Sequence, residues 1–210
     1  MVVTSLSIIR VHLACMGEMY TQFPSEYERE KHMSNTIGIF FGSSTGATDD
    51  AAHEIYDAWT GVGMEADEPI DIATVKDLNK LLEYDYLMVG IPTWNIGELQ
   101  DDWDFVFEDL DDLDFAGKKI AMFGVGDQIN YPDNYLDAVG ILGRKLQERG
   151  AELFGYWSTE GYEHYESAGL DGDKFMGLAL DDMNQGDMSD ERIQAWVAQL
   201  IEEFALQPTV

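Results

Sequence analysis

A run of hydroxyl side chains and glycine has the composition of a phosphate-binding loop: Ser43, Ser44, Thr45, Gly46, Ala47 and Thr48. The run follows the mostly apolar residues 37–41 and precedes a segment with helical character, so it lies where a buried strand leads into a helix. Free N–H groups at a helix N-terminus point toward an anion, and Gly46 lets the backbone come close. The pattern therefore predicts a phosphate cradle built from amides and hydroxyls. The alternative is a capped helix whose Ser and Thr side chains satisfy only its own amides.

Two better-known phosphate-binding motifs do not fit this run. A Walker loop has Lys before its final Ser or Thr, and this chain has Ala47 at that position. The dinucleotide fingerprint needs G-x-G-x-x-G at the start of the helix, and no such pattern occurs there. The predicted cradle is therefore without a charged side chain.

Two further polar loops each carry one large aromatic residue. Trp94 lies in the loop 92–99 after the apolar run 86–91, and Tyr131 lies in the loop 126–134 after the run 119–124. In a parallel sheet, ligands bind beyond the carboxyl ends of the strands. The two loops and the cradle therefore predict a slot for a flat aromatic ring between Trp94 and Tyr131, with a phosphate tail on residues 43–48.

The elements that must position these loops alternate along the chain. Strands are expected at 37–41, 64–70, 86–91, 119–124 and from 152 to 157, and helices at about 46–60, 74–82, 101–109, 134–149 and 192–204. Such alternation predicts an α/β fold, a three-layer doubly wound sandwich around a five-stranded parallel sheet.

Composition narrows the classes of protein to consider. The 210 residues suffice for one α/β domain, and the formal net charge of -29 disfavours binding to nucleic acid or anionic membranes. The single cysteine excludes an internal disulfide framework, and no apolar stretch reaches the length of a membrane helix. We expect a monomer with no metal site, no membrane insertion and a cytoplasmic location.

Residues 1–32 differ from the rest of the chain. They are less acidic and lack the basic start of a signal peptide, while Met33-Ser34-Asn35 leads directly into the first strand. We interpret residues 1–32 as a leader, either disordered or translated upstream of a true start at Met33. Residues 33–210 are predicted to form one domain.

From Thr36 to Leu206 the chain resembles the long-chain flavodoxins. The resemblance rests on the run Pro-Thr-Trp-Asn-Ile-Gly-Glu-Leu-Gln at 92–100, on Gly-Asp-Gln at 126–128 with Tyr131, and on residues 155–157 and 175–180. It implies a sheet of strand order 2-1-3-4-5 whose last strand is interrupted by an insertion at about 158–178.

The resemblance also implies a cofactor and a function. The family binds FMN non-covalently and carries single electrons at low potential, cycling between semiquinone and hydroquinone and replacing ferredoxin. Basic redox proteins such as ferredoxin–NADP reductase and photosystem I are the implied partners, with nitrogenase reductase as another candidate. The cofactor-binding residues carried over are Ser43, Ser44, Thr45, Gly46, Ala47, Thr48, Pro92, Thr93, Trp94, Asn95, Ile96, Gly97, Gly126, Asp127, Gln128, Tyr131 and Asn134.

Gly97 carries a further hypothesis. A glycine lets the Ile96–Gly97 peptide rotate its carbonyl toward N5 of the flavin. On this hypothesis, Gly97→Val opposes the rotated peptide and lowers the first one-electron potential, with comparatively little change in the affinity for oxidised FMN.

Two other classes of protein share this type of fold. An NAD(P)H-dependent quinone or flavin reductase needs a substrate pocket over the flavin, and Trp94 is predicted to occupy that face. A receiver-type signalling domain needs an aspartate at the end of the third strand, where this chain has Ile91 and Pro92. The sequence therefore favours a carrier over an enzyme, with the reductase as the alternative.

Overall fold

The structure is a computed structural model that describes residues 35–208. The predicted leader, residues 1–32, lies outside the described residues and stays a prediction. Within the described part, the predicted alternation of strands and helices is present.

A parallel sheet forms the middle layer. Its strands are β1 (Ile37–Phe41), β2 (Ile70–Asp71), β3 (Tyr86–Pro92), β4 (Lys119–Val125) and β5 (Glu152–Phe154), in the order β2-β1-β3-β4-β5. Every residue of β1 is buried, as are all residues of β3 except its last, Pro92. Strands that are buried on both faces have continuous apolar sequences, and for this reason β1 and β3 could be predicted from the sequence. The predicted fold class and strand order are confirmed.

Helices cover both faces of the sheet. On one face lie α1 (Ala47–Gly61) and the C-terminal helix α5 (Ser189–Phe204), which bury Ile55, Trp59 and Trp196 against the strands. On the other face lie α2 (Asp101–Val106) and α3 (Asp137–Glu148), with Trp103 and Leu142 in the core. Two separate apolar layers therefore hold the sheet.

The last strand is interrupted. Beside β4, β5 ends at Phe154 and β9 (Gly177–Leu180) pairs with the remainder of β4, from Met122↔Gly177 to Val125↔Leu180. The intervening residues contain a small antiparallel sheet of β6 (Trp157–Ser158), β7 (Leu170–Asp171) and β8 (Lys174–Phe175). We refer to residues 155–176 as the insertion, whose bounds lie within three residues of the predicted 158–178.

Several predicted bounds need correction. The strand predicted at 64–70 is reduced to Ile70–Asp71, and the helix predicted at 74–82 is a pair of 3-10 helices, Ile72–Thr74 and Leu78–Glu83. The helix predicted from 134 begins at Asp137 because Leu136 has a left-handed backbone, with φ 61°. Short α4 (Asp182–Gln185), which was not predicted, follows β9.

Residues 35–208 include no helix with the length and hydropathy required to cross a membrane.

Candidate functional site

The three predicted loops leave the sheet at neighbouring strand ends. The N–H of Gly42 donates to the carbonyl of Gly90 at 3.1 Å, and the N–H of Thr93 donates to the carbonyl of Val125 at 3.3 Å. The N–H of Gly126 likewise donates to the carbonyl of Leu180 at 3.0 Å. These bonds continue the pairing of the strands just beyond β1, β3 and β4, so the loops lie side by side at one edge of the sheet.

The loop 43–48 combines a left-handed glycine with an unsatisfied hydroxyl. Gly46 has φ 98° at the N-cap of α1 and offers no side chain to cap the helix. Ser43 Oγ accepts the N–H of Gly46 at 3.1 Å, which fits the capping alternative for that residue. Thr48 is different, because it is buried and its Oγ1 has no hydrogen-bond partner. Native proteins rarely leave such an atom unpaired, so Thr48 has the chemistry of a residue that receives a ligand.

A buried glutamine joins this loop to the next. Gln100 is 1% exposed, and its Oε1 accepts the N–H of Asp102 at 3.2 Å at the start of α2. Its Nε2 donates to Ser44 Oγ at 3.2 Å. Gln100 was not among the predicted site residues, since no local pattern marks a glutamine as buried.

The loop after β3 is a tight reversal around Trp94. The N–H of Trp94 donates to the carbonyl of Glu98 at 3.0 Å, and the N–H of Glu98 donates back at 2.8 Å. Asn95 and Gly97 both have positive φ, 47° and 86°. Trp94 is half-buried, yet its Nε1 is buried without a hydrogen-bond partner. Ile96, at the tip of the reversal, is 77% exposed.

Gly97 is also where the second loop contacts the third. A Cβ atom on this residue would lie 2.4 Å from Asp137 Oδ2 and 3.1 Å from Asn134 Nδ2. This contact corrects part of the Gly97→Val hypothesis. Positive φ and close packing are already present in this structure, so a side chain at position 97 strains the loop before any peptide rotates.

The loop after β4 is organised by the carboxylate of Asp127. Its Oδ1 accepts the N–H groups of Ile129 at 3.1 Å and Asn130 at 2.9 Å, and the carbonyl of Asp127 accepts the N–H of Tyr131 at 3.1 Å. Burial alone would raise the pKa of Asp127, but hydrogen bonds from Asn130 and Asn184 outweigh it and lower that pKa. Asp127 therefore stays ionised and holds the turn that presents Tyr131, which is 52% exposed.

Three of the predicted ligand residues use their side chains inside the protein. Thr93 Oγ1 accepts the N–H of Ala138 at 3.2 Å, and Asn134 Nδ2 donates to Asp137 Oδ2 at 2.9 Å. Gln128 is completely buried, and both its backbone N–H and its Nε2 donate to Asp181. These bonds support the loops, and in Gln128 they occupy both polar atoms of the side chain.

The site has no cationic side chain in its three loops. Neither Lys nor Arg occurs in residues 42–50, 92–100 or 126–134, while Glu98 and Asp133 are exposed there. An anion would therefore be held by amides and hydroxyls, as the sequence predicted, and would be surrounded by carboxylates at the rim.

Comparison with known protein families gives one consistent result. The family model described as flavodoxin matches residues 39–196. A flavodoxin from a Nostoc species is 51% identical over 174 residues, which cover 83% of this chain and 100% of that relative. Flavodoxin 2 of Escherichia coli is 47% identical over 173 residues, which cover 80% of this chain and 96% of the relative.

Solved structures show the same similarity at the level of the fold. The structure of Fusobacterium nucleatum flavodoxin bound to flavin mononucleotide has a TM-score of 0.74 and 27% sequence identity. The match covers 81% of this chain and 99% of that one. A mutant of the same flavodoxin, also bound to flavin mononucleotide, has a TM-score of 0.73.

Proposed function

The chain belongs to the flavodoxin family, and on that premise we propose that residues 43–48 hold the phosphate of FMN while Trp94 and Tyr131 cover its ring. The protein is an electron carrier that uses FMN, and the interrupted last strand fits the long-chain form. FMN, when bound, supplies one-electron chemistry. The protein's part is to bind the cofactor, orient its ring and set the electrostatic surroundings.

The buried hydroxyl of Thr48 is the observation that carries the phosphate assignment. Its Oγ1 lacks a partner at the start of α1, where the first backbone N–H groups also lack intrahelical acceptors. A phosphate oxygen would satisfy the hydroxyl and the amides together. The opening above Gly46 supports this role, because a Cβ placed there would meet no atom within 4 Å.

The ring assignment rests on the placement of two aromatic residues. Trp94 is half-buried beside the contact between the second and third loops, and Tyr131 projects from the turn held by Asp127. Stacking on both faces excludes water from the ring. Because Glu98, Asp127 and Asp133 are close in sequence to these aromatics, we expect them to disfavour added negative charge on a reduced flavin, which makes it a stronger reductant.

The partners we propose are redox proteins with basic docking faces, such as ferredoxin–NADP reductase, photosystem I or nitrogenase reductase. The formal net charge of -29 supports this, because opposite charge on the partner accelerates encounter. Ile96 and Ile129 are 77% and 49% exposed in loops of the site and offer apolar contact around the flavin edge. The same net charge opposes self-association, so we propose a monomer that acts in the cytoplasm without contacting nucleic acid.

We further propose that the protein is a carrier and not an NAD(P)H-dependent reductase. Purified protein should bind one FMN and take up electrons from dithionite in two separable one-electron steps. Addition of NADPH alone should leave the flavin oxidised over the same period. Rapid bleaching of the flavin by NADPH would contradict the assignment as a carrier, and failure to bind FMN would contradict the proposed site.

A further inference from the structure

The loop that presents Tyr131 is anchored by a glutamine with no exposed surface. Gln128 Nε2 donates to Asp181 Oδ2 at 2.8 Å and to Gln185 Oε1 at 3.0 Å. Its Oε1 accepts the N–H of Glu163 at 2.6 Å, and its backbone N–H donates to Asp181 Oδ2 at 3.1 Å. Every polar atom of the side chain therefore has a partner, and those partners belong to α4, its N-cap and the insertion.

Asp181 is equally buried and equally satisfied. It follows β9 with 0% exposure, and besides the two donors of Gln128 it accepts the N–H of Asn184 at 3.1 Å. Asn184 Nδ2 donates to both Asp181 and Asp127, so it joins Asp181 to the residue that organises the loop. A carboxylate buried this deeply is stable only with its full set of hydrogen bonds. None of the ion pairs among residues 35–208 includes Asp181, so hydrogen bonds stabilise its carboxylate instead.

The insertion holds the other end of the same loop. The carbonyl of Pro132 accepts the N–H groups of Tyr165 at 2.8 Å and Glu166 at 3.1 Å. Tyr131 therefore lies between two anchors, Gln128 before it and Pro132 after it. A loop fixed in this way loses little further conformational entropy when a ligand binds.

We propose that Gln128 and Asp181 are positioning residues for the flavin site: together they hold the 126–134 loop so that Tyr131 is in place before FMN arrives. This inference rests on the proposed function, since it takes Tyr131 as a stacking residue. Its mechanism is preorganisation. Both side chains are hydrogen-bonded inside the protein, so the pair acts through the backbone of the loop.

Gln128→Met tests the proposal, because it keeps the length and approximate volume of the side chain and removes its polar atoms. The matched control is Gln147→Met on the exposed face of α3, where the glutamine Nε2 donates to the Tyr156 hydroxyl at 3.4 Å. In FMN-free protein, hydrogen exchange of residues 129–134 should accelerate in Gln128→Met and not in Gln147→Met. The dissociation constant of oxidised FMN should rise about tenfold in Gln128→Met alone.

A double-mutant cycle separates positioning from general destabilisation. If Gln128 acts through Tyr131, then Gln128→Met should weaken FMN much less in a Tyr131→Ala background than in wild type. Gln128→Met should weaken the binding of riboflavin, which lacks the phosphate, by the same factor as the binding of FMN. Additive effects in the cycle, or unchanged loop exchange in Gln128→Met, would overturn the proposal.

Wild-type protein supplies a second test in case Gln128→Met fails to fold. By NMR, the side-chain amide protons of Gln128 should exchange slowly and those of Gln147 quickly. Fast exchange at Gln128 would show that the anchor is absent and overturn the inference. If wild-type protein bound neither FMN nor riboflavin, the proposed function would be refuted. Slow exchange at Gln128 would in that case still show that the glutamine anchors the loop.

Discussion

Gly97 packs so closely against Asp137 that a Cβ atom on the glycine would lie 2.4 Å from Asp137 Oδ2. Asp137 is nearly buried at the first position of α3, and its two oxygens are held by Asn134 and by the N–H of Ala168. The carboxylate therefore has little freedom to retreat. This contact joins the loop 92–99 to the start of α3, and it changes what a substitution at position 97 should do.

Gly97→Ala should weaken the binding of oxidised FMN as well as change its one-electron potentials. The matched control is Gly117→Ala, because Gly117 has a similar φ of 81° and a Cβ there would meet no atom within 4 Å. The control should lose about 1–2 kcal/mol of unfolding free energy from backbone strain alone. Gly97→Ala should lose more, since the clash with Asp137 is added. Urea unfolding measures the loss of stability, and titration with FMN measures the loss of affinity. If Gly97→Ala bound oxidised FMN as tightly as wild type does, the steric argument would be contradicted.

Thr48→Val should have opposite effects on the empty and the FMN-loaded protein. The substitution removes a buried hydroxyl without a partner, so the free energy of unfolding of FMN-free protein should stay constant or increase. The affinity for FMN should fall by about 1.5–3 kcal/mol, roughly 10- to 150-fold, since the hydroxyl is expected to donate to a charged phosphate. Riboflavin binding is the internal control and should not change. An equal loss for FMN and riboflavin would place Thr48 away from the phosphate.

Tyr131→Ala should weaken FMN and raise the potential of the second one-electron step. Removal of the exposed ring lets water reach the flavin, which stabilises the additional negative charge. Tyr165→Ala is the control, because Tyr165 is 79% exposed but lies on the insertion. Potentiometric titration should show a shift for Tyr131→Ala alone. If both variants behave like wild type, Tyr131 does not stack on the flavin.

His164 should make the stability of the protein depend on pH. Its ring lies 5.0 Å from that of Phe175, between centroids, and its Nδ1 is buried without a partner. Burial lowers the pKa of His164 below its ordinary value of 6.5. The unfolded chain therefore binds the proton first as the pH falls, so His164 favours unfolding progressively below about pH 6.5. Relative to His164→Phe, wild type should lose unfolding free energy between pH 7.5 and 5.5. If the unfolding free energies of wild type and His164→Phe changed equally with pH, this role of His164 would be contradicted.

A chain that begins at Met33 should bind FMN with the affinity of the full chain. All the proposed contacts with FMN lie within the described residues 35–208, and the first strand begins at Ile37. Isothermal titration of the two forms compares them directly. A loss of affinity above about tenfold, near 1.4 kcal/mol, would show that residues 1–32 contribute to the site.

The sequence alone located the central strands β1, β3 and β4 and the three loops that follow them. Strands such as β3 and β4 are buried on both faces and therefore stand out as uninterrupted apolar runs. Because the carboxyl ends of parallel strands share one edge of a sheet, the sequence predicts that the loops carrying Thr48, Trp94 and Tyr131 lie side by side. Short or edge segments were less predictable. For example, β2 forms only two residues of strand, since it pairs with one neighbour and is half-buried.

Only the tertiary structure decided which polar residues support the site from inside. No local pattern in the sequence marks Gln128, Asp181 or Gln100 as buried, yet all three are. Their partners are remote, as in the bond from Gln128 Nε2 to Asp181 Oδ2, which spans 53 positions. Likewise, the conformational freedom of the Gly97 backbone could be inferred from its residue type, but the close approach of Gly97 to Asp137 could not. Local patterns report how a segment folds, whereas burial of a polar group depends on which distant donors and acceptors the fold brings to it.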